Sequence, residues 1–160
     1  MMNITIIALG KLKEKYLRDA VDEYAKRISA YGKLDIIELN PVKLSDNPSQ
    51  NEITSALSKE ADEIKKKIPN GSYIFTLCIE GKEKSSEAFA KAINDAALNG
   101  KSHITFIIGS SYGLSPEIKN LSDFKLSFSP MTFPHQLMRV MLLEQVYRAF
   151  QINNNGKYHK

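Results

Sequence analysis

The sequence HITFIIGSSYGLSP, residues 103–116, contains a complete strand, turn and helix start. Residues 103–108 are an apolar run rich in isoleucine, as expected of a strand buried on both faces. Gly109 and Gly113 bracket the turn that follows, and Ser115-Pro116 is a typical N-cap with proline at the first helical position. A buried strand followed by a tight turn and a helix is the repeating unit of a parallel sheet.

The same unit recurs on both sides of this stretch. Apolar strand patterns and helical spacings alternate along the chain, and Gly, Pro or Asn ends most of them. We therefore predict an α/β protein, a single domain over residues 1–160, whose mostly parallel sheet has helices on both faces. The predicted strands are 3–9, 33–39, 72–79, 103–108 and 124–128, the predicted helices are 13–31, 51–68, 85–99, a short one from 115 and 134–152, and 40–50 is a surface loop.

The composition is typical of a soluble globular protein, with 42% hydrophobic and 25% charged residues. Cys78 is the only cysteine, so an internal disulfide is excluded. No apolar stretch approaches the roughly 20 residues that cross a bilayer, and the first residues lack the basic and apolar regions of a signal peptide. We expect a cytoplasmic protein with no membrane partner, its thiol kept reduced.

Positive charge is concentrated at the C-terminal end of the sequence. The net charge is +4, and residues 125–160 hold five basic residues against one acid, Glu144. The first 124 residues are therefore neutral overall. This distribution favours a surface that binds a polyanion, although a basic tail that only contacts solvent fits equally well.

Ligands of an open parallel sheet collect at the carboxyl ends of its strands. Three such ends have an unusual composition, at residues 77–81, 109–114 and 128–133. The glycines at 109 and 113 permit close approach of a ligand, or they serve only to make a tight turn.

Several enzyme classes lack support in the sequence. The turn at 109–114 matches neither the dinucleotide fingerprint nor the phosphate loop, and no nucleophile elbow indicates a serine hydrolase. The three histidines and Cys78 have no ligand spacing, so we expect no metal.

The last predicted helix is apolar on nearly all sides, with Leu137, Val140, Leu143 and Phe150 pointing in different directions. One sheet face cannot cover such a helix. We expect part of it to pack against a second copy as a twofold dimer, the alternative being one oversized core helix.

The residues FSPMTFPHQLMR (128–139), LEQVYRAF (143–150) and the final YHK (158–160) carry a specific resemblance. The chain resembles, over its whole length, the bacterial ribosomal RNA large-subunit methyltransferase H family, a minimal member of the SPOUT methyltransferase superfamily. The resemblance implies S-adenosylmethionine as methyl donor and methylation at N3 of a pseudouridine in helix 69 of 23S rRNA, on the assembled ribosome. It also implies a C-terminal trefoil knot and a homodimer with the cofactor sites at its interface.

The resemblance also assigns the cofactor-binding positions. Two residues depart from the family's pattern: Ser110 stands where many relatives have glycine, and Tyr112 where they often have a smaller or polar residue. The positions carried over are Leu77, Gly109, Phe128, Ser129, Pro130, Met131, Thr132 and Phe133.

Two residues at the start of the last helix are candidates for catalysis. The N3 proton must leave before or during methyl transfer, and His135 is our candidate general base. Arg139, one turn later, could stabilise negative charge or hold a phosphate. The alternatives are that His135 only hydrogen-bonds the loop, and that Arg139 forms an interface ion pair, for example with Glu144 of a partner.

The basic and aromatic residues of the C-terminal end are candidates for RNA binding or for closing the site. Cations contact phosphates and aromatic rings stack on bases, and we expect this tail to become ordered only with RNA. The candidates are Arg148, Lys157, Tyr158, His159 and Lys160.

Three other functions compete with this prediction. The chain could be a non-catalytic RNA-binding protein of the same fold, or a SPOUT methyltransferase acting on tRNA. The absence of an appended RNA-binding domain favours the ribosomal substrate over tRNA. A methyltransferase for small molecules is disfavoured by the concentrated positive charge.

Overall fold

A computed structural model of the chain describes residues 2–160. Five strands and five helices alternate, as the sequence predicts. Along residues 2–160, no helix is both long and apolar enough to cross a bilayer. In chain order the elements are β1 Met2–Leu9, α1 Lys15–Ile28, β2 Gly32–Leu39, α2 Gln50–Lys67, β3 Tyr73–Glu83, α3 Ser86–Leu98, β4 His103–Ile108, α4 Pro116–Leu121, β5 Phe124–Ser127 and α5 His135–Asn153.

All five strands join one sheet in the order β2-β1-β4-β3-β5, and every neighbouring pair is parallel. The register places Ile6 between Ile36 of β2 and Phe106 of β4. All carboxyl ends therefore lie at one edge of the sheet. The predicted parallel α/β sheet is confirmed, and the trefoil knot stays a prediction.

Helices cover both faces of the sheet, which confirms the second part of the fold prediction. Alternate residues of β1 and β4 face opposite layers. Ile6 and Phe106 pack in the layer of α1, α3 and α5, whereas Ile7 and Ile107 pack in the layer of α2 and α4.

Serine N-caps fix where three helices begin. Ser49 and Glu52 form a complete capping box at α2, and the hydroxyls of Ser85 and Ser115 accept hydrogen bonds from N–H groups in the first turns of α3 and α4. The caps predicted at Ser85 and Ser115 are confirmed.

Strand β3 is longer than predicted. The sequence places its end at Ile79, but pairing with β5 resumes beyond an irregularity, with Lys82 opposite Leu126. Gly81 permits this, because a Cβ there would lie 2.5 Å from the carbonyl oxygen of Lys125. The extension depends on a tertiary contact that local periodicity does not encode.

Helix α5 packs between α1 and α3 on one face of the sheet. Its residues Leu142, Val146 and Phe150 are buried there, and Phe150 stacks on Tyr31 with ring centroids 5.7 Å apart. The chain itself therefore covers much of the apolar surface that we assigned to a second copy. The part left exposed lies near the helix start, at Leu137.

We predict that Phe106→Ala lowers the free energy of unfolding by about 3–5 kcal/mol, because the side chain is fully buried and stacks on Phe75. Urea denaturation measures the change. Leu98→Ala is the control, since Leu98 is 77% exposed and should cost less than about 0.5 kcal/mol. Equal losses in the two variants would contradict this description of the core.

Candidate active site at the carboxyl ends of the strands

A cleft of about 700 Å³ opens at the carboxyl ends of β3, β4 and β5. Such an edge is where parallel sheets place their ligands. Three separate stretches of the chain form its walls, residues 77–80, 108–114 and 126–135, and Lys119 and Met138 complete it. Of the eight residues predicted to bind the cofactor, all but Pro130 line this cleft.

The turn after β4 forms one wall and requires glycine. A Cβ on Gly109 would collide with the carbonyl oxygen of Gly113, so the two ends of the turn are in close contact. The Gly113 N–H donates to the Ser110 carbonyl at 2.9 Å, and Gly113 has a φ of 85°. The turn is thus closed, with its backbone next to the cleft.

Ser110 connects this turn to helix α2, in the layer formed by α2 and α4. Its hydroxyl donates to Glu60 of α2 at 3.3 Å, and the same carboxylate accepts from the Val42 N–H at 2.9 Å. Glu60 is only 5% exposed, and this burial raises the pKa of its carboxyl, although the two hydrogen bonds oppose the rise. The serine that departs from the family pattern therefore has a structural partner.

The segment between β5 and α5 forms the second wall. The Ser129 hydroxyl accepts from the Met131 N–H at 3.0 Å, and the Ser127 hydroxyl donates to the Ser129 carbonyl at 3.2 Å. Met131 is 72% exposed at the mouth, whereas Leu77 contributes apolar surface from β3. The segment thus brings apolar side chains and main-chain groups to the same wall of the cleft.

His135 is the first residue of α5 and lines the cleft. Burial lowers the pKa of the imidazole, and the positive charge of Arg139 lowers it further. A methyl group on Gly10 would lie 3.8 Å from Nε2. Within residues 2–160 the ring makes no hydrogen bond, so the alternative role of bonding the loop is not observed and the ring is free to meet a ligand.

Arg139 does not line the cleft, so its position does not support the predicted contact with substrate. The residue is 1% exposed, Nη1 donates to Glu38 at 2.5 Å, and Nη2 donates to the Gly10 carbonyl at 3.0 Å. The alternative, an ion pair with Glu144 of a partner, stays a prediction, and within the chain Glu144 pairs with Arg148. Helical spacing predicts correctly that Arg139 lies one turn after His135. It does not show that the Arg139 side chain is buried.

The C-terminal residues contact α5 and α3 through Tyr158 and His159, and the ordering of this tail by RNA stays a prediction. Tyr158 donates to Glu144 at 2.6 Å, and this hydrogen bond, with burial, raises the pKa of Tyr158 to about 12. His159 lies 2.7 Å from Glu87 and 3.1 Å from Arg148. Lys157 and Lys160 are exposed.

Among residues 2–160, no three side chains of the metal-binding kinds converge on one point. The groups that the cleft does offer are hydroxyls, main-chain groups, the His135 imidazole and an ion pair between Lys119 and Glu80. This set suits an organic ligand with an apolar part and a polar part.

Comparison with known proteins gives one consistent family. A family model described as predicted SPOUT methyltransferase matches residues 2–159. A relative from Methanococcus maripaludis, provisionally named ribosomal RNA large subunit methyltransferase H, is 60% identical over 99% of this chain and its own full length. Relatives from Clostridium novyi and Clostridium perfringens with that name are 54% identical over the same shares.

The chain belongs to the SPOUT methyltransferase family. Its high identity to the relatives over the full length places it with those named ribosomal RNA large subunit methyltransferase H, and confirms the resemblance described above. A solved structure described as a probable methylase family protein from Haemophilus influenzae Rd KW20 shares the fold. That protein has a TM-score of 0.52 and 14% identity, over 99% of this chain and 70% of its own.

Sequence reasoning missed several residues of this SPOUT cleft. Cys78, Ile79 and Glu80 lie within a strand end that the composition had marked, so that signal could have found them. Lys119 and Met138 have no such signal, because they lie within helices α4 and α5 and not at a strand end.

We predict that His135→Gln changes how stability depends on pH. Because the pKa of His135 is lowered in the folded protein, the unfolded chain binds the proton first as pH falls below about 6.5. The stability that the neutral ring contributes is complete above that pH and is lost on acidification. The wild type should therefore lose more free energy of unfolding than the variant between pH 7.5 and 5.0.

Urea denaturation at the two pH values provides the measurement. His103 also has a pKa lowered by burial, but it is present in both proteins and cancels in the comparison. A stability difference that is the same at both pH values would contradict the neutral, half-buried state of His135.

Proposed function

We propose that this chain transfers a methyl group from S-adenosylmethionine to N3 of a pseudouridine in helix 69 of 23S rRNA, on the assembled ribosome in the cytoplasm. The observation that carries the proposal is the cleft itself, whose two walls are the segments that the family resemblance assigns to the cofactor. The names of the full-length relatives support a large-subunit rRNA substrate.

The cleft suits S-adenosylmethionine in size and chemistry. Its volume of about 700 Å³ lies within the range of small-molecule sites. Leu77, Phe128 and Met131 offer apolar surface for the adenine, and the main chain of the two wall segments offers donors and acceptors. The glycine at 109 keeps open a backbone cradle that a larger residue would disturb. When bound, the cofactor supplies an electrophilic methyl group on a sulfonium.

The protein must also accept the proton that leaves N3. His135 faces the cleft, and its lowered pKa keeps the ring neutral at physiological pH. A neutral imidazole with a free nitrogen can accept a proton, which a protonated ring cannot. We therefore assign His135 as the general base.

Arg139 acts on the reaction only through His135 and the start of α5. Its two hydrogen bonds join that helix to the ends of β1 and β2, and its charge opposes protonation of the imidazole. Arg139 is in this proposal a positioning residue, not a catalytic one.

RNA binding by the C-terminal residues starts from a preformed cluster. Arg148 stacks on the Tyr158 ring at 4.7 Å and bonds Glu144, while Lys157 and Lys160 remain exposed for phosphates. Tyr158 and His159 are each held by a carboxylate, of Glu144 and Glu87 respectively. We further propose the knotted, homodimeric assembly of the family, with exposed Leu137 and Met131 near the interface.

We predict that the purified protein, given S-adenosylmethionine and ribosomes lacking the modification, adds one methyl group to helix 69. Mass spectrometry of nuclease fragments locates the methyl group. In single turnover at saturating substrate, His135→Gln should reduce the rate by roughly 10²–10⁴-fold, because it removes the proton acceptor. A near-normal rate would refute the assignment of the base.

The same assay separates the competing functions. Methylation of tRNA instead of 23S rRNA would indicate the alternative SPOUT substrate. Binding of ribosomes without any methyl transfer would indicate a non-catalytic RNA-binding protein.

We predict that Gly109→Ala weakens S-adenosylmethionine binding by at least about tenfold, because the added methyl group forces the turn away from the Gly113 carbonyl. Isothermal titration calorimetry measures the affinity. Gly71→Ala is the control: Gly71 has a positive φ, of 75°, but a Cβ there would meet no atom within 4 Å. The control should lose about 1 kcal/mol of stability and keep its affinity. Unchanged affinity in Gly109→Ala would contradict the assigned wall.

A further inference from the structure

The loop between β1 and α1 places two lysines beside the candidate active site. Lys11 and Lys13 are exposed, and Leu12 between them is buried and belongs to the core. The buried leucine fixes the loop to the protein while both lysine side chains face solvent. We refer to residues 10–13 as the basic loop.

The backbone of the basic loop is unusually well fixed. Arg18 donates to the carbonyls of Leu12 at 3.3 Å and Lys13 at 2.6 Å. The Leu12 N–H donates to Glu38 at 3.4 Å, and the Gln136 side chain donates to the Lys11 carbonyl at 3.3 Å. Each of these hydrogen bonds uses a main-chain group, so none of them occupies a lysine ammonium.

The basic loop is adjacent to the proposed general base. A Cβ built on Gly10 would lie 3.8 Å from Nε2 of His135, and the Gly10 carbonyl accepts from Arg139. Gln136, which bonds Lys11, is the residue after His135. The two ammonium groups therefore extend from the same edge of the sheet as the cleft.

The surface charges around the loop leave these lysines available. Within residues 2–160 neither Lys11 nor Lys13 forms an ion pair, whereas the next lysine, Lys15, pairs with Asp19 at 2.7 Å. Of the nearby acids, Glu38 pairs with Arg139, and Glu14 is exposed. By contrast, Arg148 in the C-terminal cluster is already paired with Glu144.

We propose that the basic loop binds the phosphate backbone of the RNA strand next to the nucleotide at His135. This inference rests on the proposed function, and it adds a site that the C-terminal cluster does not provide. Lysine ammonium groups bind phosphates regardless of sequence and position the strand, and a loop fixed beforehand loses little entropy on binding.

The test compares two double variants that remove the same charge. Lys11→Ala with Lys13→Ala removes the basic loop's cations. Lys59→Ala with Lys67→Ala removes two exposed lysines of α2, on the opposite layer, that form no ion pair among the described residues. Binding to 70S ribosomes is measured by co-sedimentation from 50 to 300 mM salt, and cofactor binding by calorimetry.

The basic-loop variant should bind ribosomes about tenfold more weakly at 100 mM salt. The slope of log affinity against log salt should become shallower by about 1–2, because each lost phosphate contact removes roughly 0.7–0.9. Affinity for S-adenosylmethionine should stay unchanged, and the α2 variant should match the wild type. Equal slopes and affinities in the two double variants would overturn the inference.

The outcome is separable from that of the proposed function. Ribosome binding is measured whether or not methyl transfer occurs, so a basic-loop effect without methylation refutes only the proposed reaction. Normal methylation with normal ribosome affinity in the basic-loop variant refutes only this inference. Wild-type protein that binds no ribosomes overturns it as well.

Discussion

The buried guanidinium of Arg139 fixes the part of the structure on which the candidate site depends. It bonds Glu38 at the end of β2 and the Gly10 carbonyl at the end of β1. A buried charge is costly without such partners, and although Nε of Arg139 has none, the bonds of Nη1 and Nη2 hold the start of α5 at one place on the sheet edge. Residues 128–134 must then run from β5 to that place, and in doing so they close one side of the cleft.

The site is thus assembled from segments that are distant in the chain, and a separate local interaction fixes each segment in place. Gly109 allows a closed turn after β4, Glu60 holds that turn through Ser110, and Arg139 holds His135. The two anchoring side chains are buried and stay outside the cleft, so the groups that face a ligand are mainly main chain, apolar side chains and one neutral imidazole. Such a site positions the reactants and supplies no nucleophile of its own, as the proposed methyl transfer from a sulfonium requires.

Most of the fold follows from the sequence because its strands and helices have clear periods and end at Gly, Pro or Ser caps. The extension of β3 does not, because it depends on β5 packing against Gly81. The cleft walls followed from strand ends and from family resemblance. The burial of Arg139 and the pairing of Tyr158 did not, since their partners Glu38 and Glu144 are brought to them only by the folded chain. Helical spacing predicts which face of a helix a residue lies on. How deeply its side chain is buried depends on the elements that pack against that face.

A crystal structure of the protein grown with S-adenosylmethionine tests the assignment of the cleft most directly. We expect the adenosine between Leu77, the Gly109 turn and residues 128–133, with the methyl group directed toward the side of the cleft occupied by His135. Density for the compound at any other place, or an empty cleft at saturating concentration, would contradict it.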